Sequence, residues 1–269
     1  MTHPTKALFR QIGRSYDGTR RADSGIGDRL GRLLGSTGDK PVLDLGCGTG
    51  NYAIAFAEQG VPVLGLDRTA LMLRRAMAKA PGIPWVAALA EEQPFRDGAF
   101  GGAICVMAVH HFDDLAAVFR DLGRVLAPGA KVAIFTALPE QMQGYWLNAY
   151  FPELMRRSIA QMPGLERIEP ALAAGGLRIL TEEPFLVPED PVDLMLYCGK
   201  QRPELYFDAR VRANISSFAA FDLAEEVGKG LAQLTEDIEQ GRFADIAAGF
   251  HGPGHNGARG DYIFIAAEK

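Results

Sequence analysis

The chain predicts a doubly wound α/β sheet decorated by helical cap elements, and three observations carry that class. Short apolar runs alternate with helix-length amphipathic segments through the first half, the rhythm of a parallel sheet with crossover helices. A glycine-rich turn follows the first apolar run, where strand gives way to helix. Beyond Thr136 the rhythm breaks into an aromatic- and proline-rich stretch before apolar runs resume.

In order, Pro41–Leu45 (PVLDL) predicts a buried strand and Asn51–Gln59 the helix behind it. Val63–Leu66 is a second strand, with a helix from Thr69 to about Ala80. Pro84–Ala90 supplies a third strand and Gly101–His111 a fourth, followed by a helix over Asp113–Leu126. Ala127–Thr136 starts on a Pro-Gly turn and runs into a fifth strand. Leu165–Gly175 is helical and stops at Gly175-Gly176, since glycine suits a helix end. Leu177–Val187 gives a sixth strand, and Pro188 to about Phe250 a mainly helical region. A glycine-rich loop holding His251 and His255, expected to be solvated, then precedes the last strand, Tyr262–Ala266. The expected organisation is an N-terminal helical cap over residues 1–36 and a sheet core over 37–138, 165–187 and 259–269. A helical cap or substrate-binding insert takes up 139–164 and 188–258.

Composition narrows the function classes. With 48% hydrophobic and 23% charged residues, the chain can bury a proper core. Its net charge of −5, without a dense Lys/Arg block, argues against a nucleic-acid partner. No apolar run approaches the ~20 residues that cross a bilayer, so no membrane partner is expected and the default location is the cytoplasm. Three separated cysteines, Cys47, Cys105 and Cys198, suit a reducing compartment and form no metal-binding spacing; no metal is expected. Nothing in the sequence fixes the oligomeric state.

The strongest local signal is VLDLGCGTGNYA, Val42–Ala53. Gly46, Gly48 and Gly50 alternate after a strand that ends in Asp44-Leu45, so bare backbone can approach a ligand at the mouth of a helix. About twenty residues after the loop, the second strand ends at Asp67, where a carboxylate can accept hydrogen bonds from ribose hydroxyls. Asn51 stands where a dinucleotide fingerprint would need its third glycine.

The pattern D-x-G-x-G-x-G followed by that second acid resembles class I S-adenosylmethionine-dependent methyltransferases. ALAEEQPFRDGAF (Ala88–Phe100), MAVHHFDD and RVLAPGAKVAIF extend the likeness to the ubiquinone/menaquinone-biosynthesis-type (methyltransferase type 11) small-molecule subgroup. The resemblance covers roughly Val42–Phe135. It implies a Rossmann-like, mostly parallel seven-stranded sheet with an antiparallel last strand, and S-adenosyl-L-methionine as cofactor. It also implies a small-molecule methyl acceptor. Backbone at Gly46, Cys47 and Gly48 would meet the methionine part, with Asp44 supporting its ammonium. Asp67 would hold the ribose and Arg68 flank the adenine. Leu89 stands where the family commonly has an adenine-reading Asp, which leaves that contact to backbone at Leu89 and Ala90 or to Glu91. Gly101 is a second departure, from an Asp. Met107 would pack near the sulfonium, while Tyr16 and Arg20 suit a carboxylate clamp, because arginine binds carboxylates bidentately.

For chemistry, His110 and His111 follow the fourth strand directly and titrate in the range a general base needs. Ordering of the loop is the competing role. Tyr145–Phe151 (YWLNAYF), with Tyr206, Phe207 and Phe218, is the best candidate for an acceptor pocket, with cap-to-sheet packing as the alternative. Methylation of RNA or protein, or cofactor binding without turnover, are the other functional readings.

Overall fold

The structure is a computed structural model and describes residues 16–250 and 260–269. His251 and His255 lie outside the described residues. Seven strands form one sheet: β1 (Val42–Leu45), β2 (Val63–Asp67), β3 (Trp85–Ala87), β4 (Phe100–Val106), β5 (Leu126–Thr136), β6 (Arg178–Phe185) and β7 (Tyr262–Glu268). Their order is β3-β2-β1-β4-β5-β7-β6. The pairs β1–β2, β2–β3, β1–β4 and β4–β5 are parallel. Strand β7 runs against its neighbours: Asp261 N–H donates to Phe185 O at the end of β6, and Lys269 N–H donates to Ala130 O early in β5. The mixed sheet expected from the resemblance is the one observed.

Residue chemistry explains the layout. All four residues of β1 (VLDL) are buried, as a strand covered on both faces must be. β6 alternates exposed and half-buried positions and closes one edge of the sheet, with Pro184 withholding a donor there. The helix Leu115–Val125 turns six apolar or small residues inward, from Leu115 to Val125, and is capped by Asp114, which accepts from Ala117 N–H at 2.9 Å.

From β1 the chain winds outward through β2 and β3, then returns to the other side of β1 for β4 and β5. That reversal leaves a crevice outside the carboxyl ends of β1 and β4, where ligands bind in open α/β sheets.

The described residues divide into two compact units. One holds residues 22–136, 163–183 and 264–269 and carries most of the sheet; the other holds residues up to 21, 137–162 and 184–263. The helix Ser24–Leu34 belongs to the sheet unit, although the sequence grouped it with the preceding residues.

Candidate active site

The glycine loop is built by what surrounds it. Gly46, Gly48 and Gly50 have φ of 76°, 55° and 78°, left-handed values that side chains disfavour. Gly46 and Cys47 donate their N–H groups to Leu66 O at 2.8 and 3.0 Å, which ties the loop to β2. A Cβ on Gly46 would lie 2.7 Å from the Ala108 Cβ, so this glycine is required by the chain's own packing. At Gly48 a Cβ would meet nothing within 4 Å. The bare, open stretch of the cradle is therefore at Gly48.

Asp67 joins three segments. Its Oδ2 accepts from Gly48 N–H at 2.9 Å and its Oδ1 from Thr69 N–H at 2.7 Å. Its backbone carbonyl accepts from Ala88 N–H at 3.3 Å. Burial pushes its carboxyl up, and the Thr69 and Gly48 hydrogen bonds oppose that shift. Asp44 is 2% exposed, and its Oδ2 accepts from Ala53 N–H at 3.2 Å, in the first turn of the helix Asn51–Glu58. The carboxylate meets one of the donors that a helix start leaves open. Burial still dominates, pushing the Asp44 carboxyl up to about 7.

The end of β4 faces the same switch point. Met107, just past it, has φ 49° and is the one non-glycine residue with positive φ among the described residues. Such backbone strain clusters at functional positions. A single 3₁₀ turn, Val109–His111, follows and sets the His110 and His111 rings 3.9 Å apart, centroid to centroid. Arg68 Nη1 is 3.6 Å from Asp113 Oδ2, and Glu91 Oε1 accepts from Asp113 N–H at 3.2 Å. Residues leaving β2, β3 and β4 are thereby linked across the sheet's carboxyl edge. Glu91 serves that loop; Leu89 is 46% exposed and Ala90 is buried.

Three further candidates have partners or surroundings of their own. Arg20 Nε donates to Asp193 Oδ1 at 2.5 Å within the unit that holds residues 137–162 and 184–263, so its carboxylate partner there is the chain's own. Tyr16 opens the short helix Tyr16–Thr19, and its side chain lies outside the described residues. Cys47 is pushed well above the usual thiol range by burial, which disfavours the thiolate and suits a small packing residue over a nucleophile.

The aromatic segment packs as a core, one of the two roles its sequence leaves open. Tyr145, Trp146, Phe151 and Tyr206 have no exposed surface, and Tyr145 stacks on Tyr197 at 3.9 Å. Their polar atoms bond the chain itself. Tyr145 Oη donates to Asp261 O, Trp146 Nε1 to Lys200 O at 3.0 Å and Tyr206 Oη to Leu196 O at 2.6 Å. Phe207 stays 40% exposed.

Against this geometry, the structure aligns over 92% of the chain with a crystal structure from Anabaena variabilis described as a methyltransferase from an antibiotic biosynthesis pathway. The match covers 98% of that protein at TM-score 0.80 and 31% identity. The chain belongs to the S-adenosylmethionine-dependent methyltransferases. A methyltransferase-domain family model matches residues 43–134 of this methyltransferase, from β1 almost to the end of β5. It is 34% identical over 143 residues to a malonyl-[acyl-carrier protein] O-methyltransferase of Pseudescherichia vulneris, covering 52% of this chain and 57% of that protein. It is 29% identical over 165 residues to a demethylmenaquinone methyltransferase of Beutenbergia cavernae, covering 57% and 69%. The chain thus spans less than two thirds of the Pseudescherichia relative's length. The family's cofactor is S-adenosylmethionine, and the residues present fit it: left-handed glycines, open space at Gly48 and two carboxyl groups beside the loop.

Among the described residues, no His/Cys/Asp/Glu cluster could hold a metal ion, and no helix is long and apolar enough to cross a membrane.

Sequence reasoning missed Trp85 and Lys79, which touch the loop from outside it. No motif marks either residue; only the pairing of Gly65 with Trp85 in adjacent strands brings the indole there.

Proposed function

We propose that this methyltransferase moves the methyl group of S-adenosylmethionine to a small-molecule acceptor by in-line displacement. The observation that carries the reading is the Asp67–Gly48 hydrogen bond at the carboxyl end of β1 and β2, which places an acceptor carboxylate beside bare, open backbone. When bound, S-adenosylmethionine supplies an electrophilic methyl on a sulfonium, a leaving group that needs no proton.

The chain's part is to bind, align and exclude water. Backbone at Gly46, Cys47 and Gly48 takes the methionine portion, with Asp44 beneath its ammonium. Asp67 holds the ribose, Arg68 flanks the adenine, and backbone at Leu89 and Ala90 reads its edge. Met107 lies at the switch point and serves the sulfonium side. Alignment of this kind supplies up to ~7–11 kcal/mol in the best intramolecular models. For an acceptor that must lose a proton, His110 or His111 takes it, a contribution of typically ~10²–10⁴-fold. The relative named for O-methylation supports transfer to oxygen, and the relative named for demethylmenaquinone supports a small-molecule acceptor.

The departure at Gly101 has a packing cause. A Cβ there would collide with the Thr37 carbonyl oxygen. Gly101 also sits near the amino end of β4, at the far end of the strand from Met107. The experiment is release of S-adenosylhomocysteine across a panel of hydroxyl, carboxyl and quinol acceptors. Turnover with at least one, reduced by His110→Ala or His111→Ala, is expected. Tight cofactor binding with no methylated product from any class would contradict transfer and leave a binding protein.

A further inference from the structure

We infer that Trp85 and Lys79 are positioning residues that set the shape of the glycine loop; this rests on the reading of that loop as the cofactor cradle. Trp85 opens β3 in register with Gly65 of β2. A Cβ on Gly65 would overlap the six-membered ring of the Trp85 indole, and one on Gly50 would fall 2.7 Å from its Cζ3. One indole therefore fills the room that two side chains would take, one on the strand and one on the loop. Cys47 Sγ lies 2.9 Å from the same Gly65 position, so the thiol and the indole flank a single gap. The Trp85 Nε1–H donates to Ala80 O at 2.9 Å, which fixes the plane of the ring.

Lys79 acts on the same stretch. Its Nζ donates to Asn51 Oδ1 at 2.5 Å and to Thr49 Oγ1 at 3.2 Å. Residues 49, 50 and 51, just beyond the open glycine, are held by an ammonium and an indole only six positions apart in sequence. A cradle already in its binding shape loses less freedom when it takes a ligand. The asymmetry between the two glycines makes the idea testable. Gly50 needs glycine for its φ of 78° as well. Gly65 is not among the positive-φ residues, so what excludes a side chain there is the indole together with the Cys47 thiol.

Calorimetric titration with S-adenosylhomocysteine should then show coupling between residues 65 and 85, as residues in contact do. Gly65→Ala and Trp85→Leu should each weaken binding by about tenfold, and the double variant should recover most of that loss, because the shorter side chain removes the nearer of the two obstacles to the new methyl. Lys79→Met should weaken binding by about threefold, the scale of one surface hydrogen-bonding cation. As an independent readout, tryptophan emission of the wild type should change on adding S-adenosylhomocysteine, and Trp85→Phe should abolish that change. Wild-type-like affinity in both Gly65→Ala and Trp85→Leu, or losses that add without recovery, would overturn the brace. A wild type that binds no S-adenosylhomocysteine would overturn the brace and the cofactor reading together, a result distinct from failure of the brace alone.

Discussion

The glycine loop after β1 and the aromatic cluster around Tyr145 and Trp146 both concentrate residues that commonly touch ligands, yet their surroundings are opposite. In the cluster, rings stack on rings, and the Tyr145, Trp146 and Tyr206 donors meet the chain's own carbonyls. In the loop, Gly48 faces open space beside a carboxylate. Aromatic density alone indicates burial, because large apolar side chains stabilise a core most. At Gly48 open backbone stands next to the Asp67 carboxyl, and that pairing, rather than the glycine's φ, marks a surface suited to a polar ligand.

The largest effect that sharpens this contrast is expected in the cluster. Trp146→Ala should lower stability by ~3–5 kcal/mol, the range for emptying a buried aromatic site, read as a shift in the urea midpoint. A loss confined to the KM for an acceptor, with the midpoint unmoved, would restore the pocket interpretation. Next, Asp67→Ala should weaken S-adenosylhomocysteine binding by ~1–3 kcal/mol, the scale of stranding buried hydrogen-bond partners. Unchanged affinity by calorimetry would remove Asp67 from the site.

A smaller effect concerns pH. The Asp44 carboxyl stands at about 7 when folded, against 3.8 ordinarily, so the folded chain keeps a proton that the unfolded chain releases. With a raised acid pKa, the stability this group contributes is present below about pH 4 and is lost as pH rises through about 7. Asp44→Asn should flatten the midpoint against pH over that window. If Asp44 also faces the cofactor's ammonium, wild-type affinity should rise between about pH 6 and about pH 8 and stay level in the variant. The smallest change is expected at Cys47, whose thiol burial holds protonated. Cys47→Ala should leave affinity within about twofold, and iodoacetamide should label this thiol slowly.

Much of the sheet was legible in the sequence because buried parallel strands read as continuous apolar runs. Their limits shifted where local chemistry intervened. The third strand keeps only Trp85–Ala87, since a turn opens at Ala90, and β5 begins at Leu126, ahead of the Pro-Gly pair. The loop and Asp67 could be found because their spacing along the chain mirrors their spacing at the sheet edge. Trp85 could not, because its contact with Gly50 and Gly65 depends on strand register. The aromatic segment was ambiguous for a related reason: YWLNAYF has the same composition whether its rings face a ligand or one another. Gly46 also carries a lesson, since its missing side chain makes room for Ala108 and the open ground lies two residues on.

The most direct test is a crystal structure of the protein with S-adenosylhomocysteine. The nucleoside should lie along Gly46–Gly48 with its ribose hydroxyls on Asp67 and its sulfur toward Met107. Density for the nucleoside elsewhere in the molecule, with Gly48 still facing empty space, would contradict the account.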